Sequence, residues 1–225
     1  MFSTLTFQAL AATFFDVDES QKYYAGIEFL AKTDIVQGHS DGSYKPDDIL
    51  NRAEMIKIIA EGAAKRFSWP ENTFNAYKNK SCFKDVKGGQ WYTKYVCYGK
   101  DKGWVVGYEN GKYFKPTQKV TFVEALKITF KGFGAYYDEN SAPWFLDLVN
   151  TASSQNFIPY DVTGFNKGLR RDQMADIITR MIKSEENVAA LNTYLGNRAD
   201  IVVTYETLQQ GLDLSELQVE TKTVE

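Results

Sequence analysis

The chain has 225 residues, 44% of them hydrophobic and 15% aromatic, with a net charge of −3. That composition describes an ordered globular protein with room for a sizeable core and one or two ordinary domains. It excludes a general basic field for nucleic acid or anionic lipid, and no apolar run reaches the roughly 20 residues that cross a bilayer.

At the start, MFSTLTFQALAA is uncharged and ends in small residues. Residues 1–12 read equally as a signal-peptide remnant without its basic start or as an apolar arm packing on the domain. After Phe14-Phe15-Asp16-Val17 comes AGIEFLAKTDIVQ, in which Ile27, Leu30, Ala31, Ile35 and Val36 suit a helix that leaves by a short extended segment.

GHSDG, from Gly38 to Gly42, matches the G-x-S-x-G elbow that presents a nucleophilic serine. Such an elbow needs a strand before it, a helix after it and a separate histidine as base. Here a helix precedes, Pro46 follows, and the one histidine of the chain, His39, lies inside the motif beside Ser40. Ser40-Asp41-Gly42-Ser43 is therefore read as a tight turn with positive φ at Gly42, and a serine hydrolase is the least favoured function. Asp16-Val17-Asp18-Glu19-Ser20 opens like a calcium loop, but Gln21 and Ile27 stand where the EF-hand needs Gly and Glu. Two cysteines and one histidine do not make a zinc site, and no metal or cofactor is expected.

A turn that belongs to a repeating unit should return. GYENGKYFKPTQKVTFVE, Gly107 to Glu124, repeats GHSDGSYKPDDILNRAE, Gly38 to Glu54, and FKDV at Phe83 repeats FFDV at Phe14. Asn51 with Glu54, and Thr121 with Glu124, have the capping-box form. The helix after the first is expected to bury Met55, Ile59 and Ala63 and to keep Glu54, Lys57, Glu61 and Lys65 wet.

A weaker third copy places Asp138 six residues before Trp144, as Asp85 stands six before Trp91; Lys22 holds that place in the first copy. It continues through FLDLVNTASSQ and a turn at Val162 to Phe165. LRRDQMADIITRMI follows, with Met174, Ile177, Ile178 and Met181 on one face.

Residues 13–67, 82–134 and 135–183 are thus read as three copies, with a linker at 68–81. An acidic tail at 184–225 has Val188, Leu191 and Leu195 at helical spacing and no assigned function. Each copy reads as helix, turn with a short extended segment, helix. A unit of that kind cannot bury its own apolar face, so three should share a core. Cys82 and Cys97 form a disulfide if the chain is exported and are buried thiols if it is cytosolic.

Taken in order, F-x-D-V, the Trp, G-[HY]-x-[DN]-G-x-[YF]-K-P and [TN]-R-A-E resemble the S-layer homology domain over about residues 14 to 183. The resemblance implies a mainly α protein: three helix-turn-helix repeats, the third degenerate, forming a pseudo-threefold spindle around a shared helical core. It also implies a non-catalytic anchor at the extracellular surface, whose grooves bind cell-wall polysaccharide, often pyruvylated. Carried over residue by residue, the glycan-binding set is Asp16, Arg52, Asp85, Trp91, Asp138, Trp144 and Arg171.

The residue types suit that chemistry. Arginine forks a carboxylate such as a pyruvyl group, tryptophan offers a flat apolar face to a sugar ring, and aspartate accepts from hydroxyls. The bland roles are helix caps for the aspartates, core packing for the tryptophans and a surface ion pair for Arg52. Three departures count against full occupancy. Phe122 stands at the arginine position of the second copy, Lys22 at the aromatic of the first, and Asp172-Gln173 replaces Ala-Glu in the third. Either one or two of three grooves are therefore expected to be inactive, or the ligand is expected to differ from the usual pyruvylated sugar. The alternative is an assembly module that meets other S-layer or surface proteins without binding glycan. In the repeat frame, a Cys82–Cys97 bridge would tie the beginning of the second copy to its first helix.

Overall fold

The computed structural model describes residues 13–214; the signal-like segment 1–12 and residues 215–225 at the end of the tail lie outside the described residues. In chain order the helices are α1 (Tyr24–Lys32), α2 (Arg52–Arg66), α3 (Thr93–Asp101), α4 (Phe122–Phe133), α5 (Leu146–Ser154), α6 (Arg171–Glu186), α7 (Val188–Leu195) and α8 (Tyr205–Gln210). The protein is mainly helical, and extended backbone in the described residues is confined to isolated bridges.

The long helices begin where the chain can cap itself. Asn51 accepts from the Glu54 amide while Glu54 accepts from the Asn51 amide, and Thr121 and Glu124 do the same at α4. Both capping boxes stand where the spacing predicts them. At α6 the box is half built: Gln173 accepts from the Arg170 amide at 3.1 Å, but an arginine side chain has no acceptor to return.

First-turn amides have no partner inside their own helix, and here a neighbouring copy supplies one. Arg52 N donates to Gln118 O, Phe122 N to Lys167 O and Arg171 N to Asp48 O, at 2.8–3.0 Å. Just before the helices, Leu50 N donates to Leu169 O, Leu169 N to Val120 O and Val120 N to Leu50 O, at 3.0–3.1 Å. These three bonds close a cyclic ring through the segments that precede α2, α4 and α6. Each short helix then packs on the long helix of the copy before it: α3 on α2, α5 on α4 and, around the cycle, α1 on α6.

Met55, Ile59 and Ala63 are buried as expected, together with Leu126, Phe130, Ile177 and Ile178. Close approach of α2 and α4 depends on Gly132, where a Cβ would overlap Ile59. Helix α6 is buried nearly all round. Its apolar face meets the core as its period predicts, and its opposite side is covered by the tail.

Asn187 caps α7 through the Ala190 amide at 2.9 Å, and Tyr194 donates to Asp176 at 2.6 Å. Helix α8 packs on α5. The stretch 68–81 is no loose connection: Trp69 and Phe74 lie against Tyr98 at 5.7 and 5.0 Å between ring centres. Cys82 and Cys97 are joined. Closing a loop of that length lowers the entropy of the unfolded chain by an amount worth about 3 kcal/mol. No described helix is long and apolar enough to cross a membrane.

Candidate functional site

The Gly38–Ser43 stretch is a turn. Gly42 has φ +85, His39 N donates to Ser43 O at 2.7 Å, and the Asp41 carboxylate accepts from the Ser43 amide at 3.0 Å. Ser40 therefore lies in a turn that follows a helix, and the strand that a nucleophile elbow requires is not there.

Asp16 holds the far side of this turn. Its two oxygens accept from the amides of Tyr44 and Lys45 at 2.7 and 2.8 Å. Asp85 does the same for Phe114 and Lys115 at 2.8 and 2.7 Å. Lys45 and Lys115 have φ of +58 and +59, a left-handed backbone unfavourable for a residue with a Cβ. The charge-assisted bonds offset that strain. Both aspartates thus act first on the loop, and the loop presents an aromatic ring and a carbonyl to an arginine.

Those arginines come from other copies. Arg171, at the start of α6, donates through Nε to Tyr44 O at 2.7 Å and lies 4.8 Å above the Tyr44 ring. Arg52, at the start of α2, donates through Nε to Phe114 O at 2.8 Å and stacks on Phe114 and Tyr108, each at 4.8 Å. Anchoring by Nε and ring stacking orients the guanidinium while its terminal nitrogens serve the cavity wall. Trp91 is 54% exposed and Trp144 40% exposed, so neither is core.

Two grooves result. One, of about 250 Å³, is lined by Arg171, Trp91, Glu54, Lys57 and His39. The other, of about 180 Å³, is lined by Arg52, Trp144, Glu124, Lys127 and Tyr108. Each draws its arginine from one copy, its Glu and Lys from the long helix of the next, and its tryptophan from the third. In the second groove Arg52 lies 3.4 Å from Glu124, the Lys127 ammonium sits 5.2 Å above the Trp144 ring, and Tyr108 donates to Glu124. Burial, followed by the bond to Glu124, raises the Tyr108 hydroxyl above its ordinary range.

At the positions that correspond in sequence, Phe122 stands for the arginine, Gln173 and Asp176 for the Glu–Lys pair and Lys22 for the tryptophan. Two of these, Lys22 and Gln173, meet at the Asp161 carboxylate. Charged side chains of the protein surround it. Asp161 accepts from Lys22 at 3.2 Å, Tyr23 at 2.6 Å, Arg170 at 2.7 Å and Gln173 at 3.0 Å. Arg170 also donates to Asp172 at 3.0 and 3.1 Å, and Asp176 pairs with Arg180 at 2.8 Å where both are buried.

Burial alone would raise the Asp161 carboxyl, but the bonds from Arg170, Tyr23 and Gln173 outweigh it and hold it at about 2. For Asp172 burial prevails over Arg170 and lifts the carboxyl to about 6. A cavity of about 440 Å³ beside this network is lined by Lys22, Tyr160, Asp176 and the tail residues Tyr194 and Asn197.

Asp138 stands apart from all of these. It accepts from the Asn140 amide at 2.9 Å and is exposed, and it lines neither groove. Sequence reasoning passed over Glu54, Lys57, Glu124, Lys127 and Tyr108. The signal was there: an acid with a lysine three residues later follows two caps, and Gln173 with Asp176 replaces it at the third. Among the described residues no His, Cys, Asp and Glu cluster suits a metal ion.

Residues 13–56 and 83–126 match the model of the S-layer homology domain family. A cell surface protein of Thermoanaerobacter kivui is 23% identical over 184 residues, covering 81% of this chain and 23% of that protein. An S-layer protein of Bacillus licheniformis is 34% identical over 90 residues, 40% of this chain and 10% of the relative. Exoglucanase XynX of Acetivibrio thermocellus is 30% identical over 117 residues, 51% of this chain and 10% of the enzyme. The chain therefore spans from a tenth to under a quarter of these relatives.

Proposed function

Because residues 13–56 and 83–126 belong to the S-layer homology domain family, we propose that the chain anchors at the cell envelope by binding cell-wall polysaccharide in the Arg52 and Arg171 grooves. The cell surface is its place. The observation that carries the binding reading is the double occurrence of one assembly, an oriented arginine, an exposed tryptophan and a Glu–Lys pair, drawn each time from three copies.

In this reading the guanidinium takes a carboxylate such as a pyruvyl group, and the tryptophan takes the sugar face. Glu54 or Glu124 accepts from hydroxyls. Asp16 and Asp85 act through the loops they hold. Asp138 is proposed as a glycan contact only by analogy with its counterparts, and it has neither their loop nor a groove. The third face binds no glycan, and no catalytic role is assigned to any residue.

The test is binding of the purified chain to cell-wall glycan with and without its pyruvyl groups, for wild type, Arg52→Ala and Arg171→Ala. Each variant is expected to lose one class of site, with affinity there falling about 10- to 100-fold, as for loss of a charged hydrogen bond. Wild type that binds neither preparation would overturn the glycan reading and favour assembly with other surface proteins.

A further inference from the structure

The two grooves are not equivalent beyond their shared core. Past the Arg171–Trp91 groove lies a second cavity of about 430 Å³, lined by Asp34, Glu61, Lys65, Trp69, Lys94 and Tyr95. The two cavities have Gln37 and Glu61 in common, so they meet in one trough along the outer side of α2. From Glu54 to Lys65 that trough follows about 16 Å of helix, longer than a single sugar ring needs.

Its far end is built rather than incidental. Trp69 is half-buried and braced by Phe74, Tyr98 and Trp104 at 6.5, 5.7 and 6.4 Å between ring centres. Such bracing fixes the ring in place before any ligand arrives, which lowers the entropy cost of binding. At the junction, Glu61 accepts from the Tyr95 hydroxyl and faces Lys57 at 3.8 Å. Carboxylates and ammonium groups surround the ring, with no guanidinium among them. That set suits the hydroxyls of a neutral sugar more than a second anion.

The other groove has no such continuation. Glu139 reaches back to Lys127 at 3.8 Å and to Lys131, and the cavity beyond it, about 550 Å³ beside Tyr136 and Asp147, has no lining residue in common with the Arg52–Trp144 groove.

We propose that Trp69 and its surroundings form a second subsite, continuous with the Arg171–Trp91 groove, that takes the neutral sugar adjoining the pyruvylated one. The proposal rests on the glycan reading above. One groove thus reads a single charged sugar, and the other reads a charged sugar with its neighbours.

The experiment follows the ¹⁵N-labelled tryptophan indoles by NMR while the wild-type chain is titrated first with a pyruvylated monosaccharide and then with a pyruvylated tetrasaccharide cut from the wall polymer. The monosaccharide is expected to move Trp91 and Trp144, and the tetrasaccharide to move Trp69 as well. The longer ligand should bind the Arg171 groove about five- to tenfold more tightly, the worth of one aromatic contact. Trp69→Ala should lose that gain and keep the monosaccharide affinity, which also reports that the variant is folded. If Trp91 and Trp144 respond but Trp69 ignores the tetrasaccharide, the second subsite is overturned while the grooves stand. If no indole responds to either sugar, the glycan reading falls and the subsite falls with it.

Discussion

The Arg52 and Arg171 grooves and the face around Lys22 and Asp176 all border a cavity, yet two are lined by an arginine, a tryptophan and a Glu–Lys pair and the third by a network of internal ion pairs. The backbone is not what distinguishes them, since all three long helices give their first amide to a neighbouring loop. Side chains at four places make the difference. Where the helix start carries arginine, its Nε is held by a loop carbonyl in the groove, and Glu with Lys three residues on lines the wall. Where Phe122 takes that place the fork is gone, and Asp161, Asp172 and Asp176 draw Lys22, Arg170 and Arg180 inward. Side chains at matching positions can therefore line a cavity in one place and form buried ion pairs in another.

The severest way to break this contrast is to remove the hub of the ion-paired face. Asp161→Ala leaves Arg170, Lys22 and Tyr23 without their common acceptor. It is expected to cost about 3–5 kcal/mol of stability, the usual effect of breaking a buried ion pair. Thermal unfolding would show the loss, while glycan affinity at the two grooves should stay as in wild type. An unchanged melting temperature would mean that the ion-paired face does not serve stability.

Acid titration gives a smaller effect with a definite sign. The Asp172 carboxyl, raised to about 6, holds its proton more tightly folded than unfolded. Its contribution is therefore fully present below about pH 4 and is lost as pH rises through 6, on the order of 2–3 kcal/mol. Asp161, held at about 2, has the opposite sign: its contribution is present above about pH 4 and is lost as pH falls through 2. Wild type should thus show a falling component of stability between pH 4 and 6 that Asp172→Asn abolishes. The same slope in that variant would refute the assignment.

The smallest effect tests which side chains share a groove. Double-mutant cycles on glycan binding should couple Arg52→Ala with Trp144→Ala, and Arg171→Ala with Trp91→Ala, by about 1 kcal/mol. Arg52→Ala with Trp91→Ala should add within about 0.5 kcal/mol. Coupling within the second copy's neighbourhood instead would dissolve the three-copy assembly.

Much of the fold could be read along the chain. The two capping boxes, the turn at Gly42, the apolar faces of α2 and α6 and the recurrence of the Asp16 and Asp85 stretches all depend on residues within a few positions of one another. Local hydrogen bonding and the 3.6-residue period encode such features directly. Of the groove residues, Arg52, Arg171, Trp91 and Trp144 were legible through their place in the recurring motifs, while Glu54, Lys57, Glu124, Lys127 and Tyr108 were not singled out.

Only the tertiary structure decided which arginine meets which tryptophan. Arg52 joins Trp144 and Arg171 joins Trp91 because the loops exchange amides around a ring, and separations of some 80 to 90 residues leave no periodic trace in sequence. The same packing brought Lys22 and Gln173, far apart in the chain, to one carboxylate, Asp161. It also gave the tail a surface to cover. Neighbouring residues specified the parts, and the cyclic hydrogen bonding among the segments before α2, α4 and α6 determined how the parts combine.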